Sequence, residues 1–147
     1  MRDLPRQLSV DELADLFQAR SRFVEALAEV EDPLGRAREV LAGLPEEQRV
    51  EALAHHPRIG ERRLAGRSAA EQGEPGEEDP ALLAELAELN AAYEERFGFR
   101  FVVFVNRRPR AEIVPVLRQR LGRTRAEELE TGCDELVAIA LDRWQSS

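Results

Sequence analysis

Histidine occurs in this sequence only as the pair His55-His56, and imidazole is the side chain that exchanges a proton near neutral pH without special tuning. Adjacent helical positions project about 100° apart, so the two rings cannot share one metal ion from a common face. HExxH, CxxC and carboxylate clusters at ligand spacing are also missing, so no metal site is expected. Pro57 pushes the residue before it out of helical geometry, which sets His56 at a helix exit. There a neutral imidazole can serve as acid or base, although a capping or solvent-exposed histidine satisfies the same spacing. Ser68-Ala69-Ala70-Glu71-Gln72 has the form of a capping box, yet Gly73, Pro75 and Gly76 leave room for only about one turn behind it. A carboxylate beside a carboxamide also offers acceptors and donors to a urea or imide group. Phe101-Val102-Val103-Phe104-Val105 reads as core through its side chains, while its backbone, lacking sheet partners, keeps amides and carbonyls for a polar ligand. Arg143, near the end of the last helix, suits the negative end of the helix dipole and equally suits a bidentate clamp on a carboxylate. Cys133 shares an apolar stripe with Leu129, Leu136, Val137 and Ala140 and reads as core.

The elements that must carry these residues follow from caps and apolar spacing. Ser9 with Glu12 opens a helix whose inner face is Leu13, Leu16 and Phe17, and Ser21 opens a second. Asp32-Pro33 supplies a cap and a first-turn proline for a third helix that Gly43 closes, and Pro45 opens a fourth that ends near His56. Residues 57–79 are irregular, rich in glycine and proline, and form a long loop. Asp79-Pro80 starts a strong helix ended by Gly98. Phe99 to Val105 then crosses the core as a short extended segment with too few partners for a sheet. Helices from Ala111 to Leu121 and from Thr124 to about Trp144 complete an all-α, single-domain helical bundle over residues 1–147.

Composition narrows the function. Twenty-one basic residues against 29 acidic ones give 147 residues a net charge of -8, which disfavours a nucleic-acid partner held by phosphate neutralisation. Every one of the 21 is arginine. The absence of lysine excludes Schiff-base, pyridoxal-phosphate and P-loop chemistry. A lone cysteine, an N-terminus without an apolar signal core and the lack of a membrane-length apolar run point to a cytoplasmic protein away from membranes.

Three stretches taken in order, His56-Pro57-Arg58-Ile59-Gly60, Ser68 to Gln72, and Leu89-Asn90-Ala91-Ala92-Tyr93-Glu94-Glu95-Arg96-Phe97-Gly98-Phe99-Arg100-Phe101-Val102, together with Glu135, Ile139 and Arg143, resemble the OHCU (2-oxo-4-hydroxy-4-carboxy-5-ureidoimidazoline) decarboxylase family. The resemblance spans nearly the whole chain. It implies an all-helical, cofactor-independent carboxy-lyase of urate degradation, commonly a homodimer, that makes (S)-allantoin and carbon dioxide from a small-molecule substrate. It implies His56 as the catalytic histidine and proton donor, with Glu71 acting beside it. Pro57, Ser68, Ala69, Ala70, Glu71, Gln72, the backbone of Phe101, Val102, Val103, Phe104 and Val105, and Arg143 would line the substrate. Arg58 stands where members usually carry aspartate, and Gly73-Glu74-Pro75-Gly76 replaces a helix. Those departures leave open a relative acting on another ureido or imidazoline compound, and the acidic helical composition leaves open a non-catalytic adaptor.

Overall fold

Local chemistry accounts for where the helices begin. In the computed structural model, which describes residues 2–59 and 79–146, the Ser9 hydroxyl accepts the Glu12 amide at 3.1 Å while the Glu12 carboxylate accepts the Ser9 amide. Thr124 and Glu127 repeat the exchange. These boxes open α1 (Val10–Phe17) and α7 (Arg125–Gln145). Ser21 caps α2 (Arg22–Leu27), and Asp79 accepts the Ala81 amide ahead of Pro80 to cap α5 (Pro80–Phe97). Between them lie α3 (Pro33–Ala42) and α4 (Glu46–Ala54), and α6 (Arg110–Leu121) completes the set. Among the described residues there are seven helices and no strand, so the fold is all-α.

Asp32 departs from the expected cap. Its backbone is left-handed at φ 52° and its carboxylate makes no cap bond, because its amide is drawn to the Arg6 carbonyl at 2.8 Å. Pro33, whose fixed φ is already helical and which has no amide of its own to satisfy, opens α3 without a side-chain cap bond.

The long helix α7 is the scaffold. It packs against α1, α3 and α4, while α5 pairs with α6 and α2 bridges α1, α3 and α4. Leu13, Phe23, Leu27, Leu41, Leu53 and Leu117 are wholly buried between them, each contributing about 1.5–3 kcal/mol of transfer free energy. Cys133 is buried on α7 and burial pushes its thiol up to about 11, as befits a core position.

Residues 98–105, between α5 and α6, form neither helix nor strand, yet Phe99, Phe101, Val102, Val103 and Val105 are buried. Left-handed Gly98, at φ 80°, turns the chain out of α5 into this run. Tyr93 then meets the Phe101 ring edge-on with centroids 5.2 Å apart. The expected crossing of the core is thus present without strand pairing. Beneath it lies an unexpected ionic knot. Glu128, wholly buried, accepts the Tyr93 hydroxyl and Arg120 Nε, both at 2.7 Å, and Arg123 Nη1 at 2.8 Å. A buried carboxylate is tolerable only when so fully bonded.

Candidate active site

The α4 exit, the run 101–105 and the last turns of α7 enclose a cavity of about 290 Å³. α4 ends at Ala54 with His55 as its cap, two residues before Pro57. That reversal separates the histidines. His55 is exposed, whereas His56 is buried to 7 % exposure and lines the cavity with Pro57. The backbone of His56 is fixed at both ends, its amide donating to the Leu53 carbonyl at 3.1 Å and its carbonyl accepting Arg100 Nη1 at 2.9 Å. Its ring Nδ1 is buried and has no hydrogen-bond partner among the described residues, an unusual state for such an atom. Burial first, and then the positive charges of Arg143 and Arg100, hold the imidazole pKa down to about 3. His56 is therefore neutral at pH 7 before anything enters the cavity.

Arg143 lines the same cavity. Buried in the last turn of α7, it donates to the Leu16 carbonyl and, at 3.2 Å, to Gln18 Oε1, where α1 ends. These bonds hold the guanidinium across the helix packing rather than letting it reach solvent at the helix end. Phe101, Val103, Phe104 and Val105 complete the wall. Val102 is buried and lies outside it. Ser68, Ala69, Ala70, Glu71 and Gln72 lie outside the described residues. Arg58 turns away to α5, where Nε and Nη2 grip Glu94 at 2.7 and 2.9 Å and hold that carboxyl below its usual range.

Several wall residues escape a reading of the sequence. Ile139 and Asp142 share a face of α7 with Arg143, and Ser146, which caps the helix, follows one turn after Asp142, a signal present in their helical spacing. Asn106 and Arg107 form the cavity rim in left-handed geometry at φ 50° and 61°, and Arg107 approaches Asp142 at 4.0 Å. No local pattern announces them. Arg100 acts on His56 through a tertiary bond that spacing cannot reveal.

A neutral imidazole and a buried cation among apolar walls suit a small molecule bearing a carboxylate and little other charge. Among the described residues, no group of three His, Cys, Asp or Glu could hold a metal ion, and no helix is long and apolar enough to cross a membrane.

Comparison with known proteins gives a consistent likeness. Residues 2–145 match the family model for OHCU decarboxylase. The 2-oxo-4-hydroxy-4-carboxy-5-ureidoimidazoline decarboxylase of Halalkalicoccus jeotgali is 30 % identical over 98 residues, covering 65 % of this chain and 56 % of that protein. The protein of the same name from Haloferax volcanii is 28 % identical over 125 residues, covering 82 % of this chain and 74 % of its own. The chain thus spans little more than half the length of the first relative. A crystal structure of OHCU decarboxylase in the presence of (S)-allantoin superposes with a TM-score of 0.75 at 24 % identity, over 90 % of this chain and 94 % of that one.

Proposed function

The chain belongs to the OHCU decarboxylase family, and from that premise we propose that it converts 2-oxo-4-hydroxy-4-carboxy-5-ureidoimidazoline to (S)-allantoin and carbon dioxide in urate breakdown, with no cofactor. The observation that carries this reading is His56, a buried neutral imidazole with a nitrogen unpartnered among the described residues, on the wall of a small cavity that also holds Arg143. The substrate supplies its own electron sink. As the carbon–carbon bond to the carboxylate breaks, its electron pair passes into the adjacent ring imine, which takes up a proton, and carbon dioxide leaves. The resulting enol loses its hydroxyl proton and gains one at carbon, giving the ring amide carbonyl of allantoin. The protein has to hold the carboxylate, exclude water and deliver the carbon proton to one face.

Arg143 holds the departing carboxylate in this reading. Its charge also times the proton. An anion beside Arg143 offsets one of the fields that depress His56, so substrate binding raises the imidazole pKa and favours its protonation. Loss of carbon dioxide restores that field and makes the imidazolium a stronger acid when the carbon must be protonated. Amides of the run 101–105 face the oxygen that gains charge. Pro57 shapes the wall. Glu71 and Gln72, with Ser68, Ala69 and Ala70, take the ureido and ring amide groups. The single domain, the homodimer and the cytoplasmic setting belong to the same proposal. An adaptor would present an apolar stripe, and among the described residues Leu4 is the one exposed large hydrophobic.

The test is stereochemical. The substrate is generated from urate by the upstream oxidase and hydrolase, and circular dichroism follows the product. Uncatalysed decay is racemic, so the expected result is a faster reaction giving an (S)-allantoin signal that scales with protein. Racemic product at the uncatalysed rate would overturn the reading.

A further inference from the structure

The run 101–105 has two unlike edges. No peptide bond is cis among the described residues, so each carbonyl points opposite to the amide that follows it. On one edge Arg120 Nη1 donates to the Val102 carbonyl at 2.8 Å, and the Phe104 carbonyl accepts Arg108 Nη2 at 2.6 Å. The Phe104 amide donates to the Glu135 carboxylate on that same edge at 3.3 Å. These groups alternate as one edge of an extended chain requires. The other edge carries the Val103 amide and carbonyl and the Val105 amide, none of which makes a hydrogen bond among the described residues. Val103, Phe104 and Val105 all line the cavity, although successive side chains of an extended chain leave opposite faces. Three successive lining residues bring the cavity against the backbone of the run as well as its side chains, and there the amides of Val103 and Val105 need a partner.

What grips the bonded edge is itself buried or bonded more than once. Arg120 is 5 % exposed, its Nε is bonded to wholly buried Glu128, and its guanidinium carbon lies 4.5 Å from the Phe101 ring centroid. Arg108 binds the chain twice, through Nε to the Val105 carbonyl at 2.8 Å as well as through Nη2 to Phe104. A guanidinium on a carbonyl also polarises the peptide and strengthens its amide as a donor.

We propose that Arg120 and Arg108 are positioning residues, which grip the Val102 and Phe104 carbonyls from behind and so aim the Val103 and Val105 amides into the cavity at the substrate oxygen that gains charge. This rests on the decarboxylase reading, and the Arg120–Glu128–Tyr93 knot is the anchor of that aim. Neither arginine lines the cavity.

The experiment compares wild type with Arg108→Met, Arg108→Lys and Arg120→Lys, using initial rates of (S)-allantoin formation, thermal melts, and amide resonances of Val103 and Val105 with and without saturating (S)-allantoin. Losing one charge-stabilising donor typically costs 10²–10³ in kcat, so a misaimed amide should cost about 10- to 100-fold. That loss is expected in kcat for Arg108→Met, with KM changed by less than about twofold and partial recovery in Arg108→Lys. In wild type both amide protons should move downfield with (S)-allantoin, and in the Met variant the Val105 shift should shrink. Arg108, half-buried and at the cavity's flank, keeps the test open if Arg120→Lys fails to fold. A folded Arg108→Met variant with wild-type kcat, or wild-type amides that ignore (S)-allantoin, would overturn the positioning roles. Wild type that fails to accelerate decarboxylation at all would instead overturn the functional reading on which they rest.

Discussion

His55 and His56 carry the same ring and differ by one peptide, so any difference in their roles is positional. α4 stops at Ala54 ahead of both, Pro57 follows them, and the outcome is one exposed imidazole and one buried at a cavity wall. General acid or base assistance contributes about 10² to 10⁴-fold. His56→Asn should therefore lower the rate of (S)-allantoin formation by roughly that factor while the protein stays folded, and His55→Asn should change it by well under tenfold. Rates and thermal melts for both variants check this, and equal losses would assign the proton to neither. Arg143→Lys tests the cation of the cavity. A lysine keeps the charge but gives up the planar fork that reaches both the Leu16 carbonyl and Gln18, so the expected result is a KM raised by tenfold or more, read from substrate titrations.

At the scale of the element, what was legible in the sequence was whatever is chemically local. Ser9 with Glu12, Ser21, Asp79-Pro80, Gly98 and Thr124 with Glu127 mark helix ends because a cap bonds within four residues of itself. Asp32 misleads because a tertiary bond from its amide to Arg6 sets its backbone. The same divide runs through the candidate site. His56 and the run 101–105 stand out by type and by a neighbouring proline or apolar string. Arg100, Arg120, Glu128 and Asp142 do not, because their partners lie on other elements. Caps also separate stability from catalysis. Thr124→Ala removes the hydroxyl that accepts the Glu127 amide at 3.2 Å, far along the chain from the residues that wall the cavity. It should cost about 1 kcal/mol in urea unfolding and leave kcat unchanged. A kcat that fell with the stability would tie the α7 start to the site.

The whole molecule bears the cost of keeping His56 neutral. In the folded protein the ring resists protonation down to about 3, whereas an unfolded chain protonates it at the ordinary 6.5. Between those values the unfolded state binds a proton that the folded state does not, so stability falls as the pH falls below 6.5, and the loss stops growing near pH 3. Each pH unit well inside that window removes up to about 1.4 kcal/mol, so this one group should cost about 2 kcal/mol on going from pH 7 to pH 5. Glu94 acts at lower pH, because its carboxyl is depressed by Arg58 from 4.5. Its bond to Arg58 is lost only as pH falls through that lower value, which leaves the range above pH 5 to His56. Urea unfolding of wild type and His56→Asn at pH 7, 6 and 5 separates this contribution from every other titration in the chain. The variant cannot take up the proton in either state, so its stability relative to wild type should rise by about 2 kcal/mol from pH 7 to pH 5. Curves that stay parallel would mean that the folded ring protonates as easily as the unfolded one. In that case substrate binding would have no depressed pKa to raise, and the timing of proton delivery by Arg143 would fall with it.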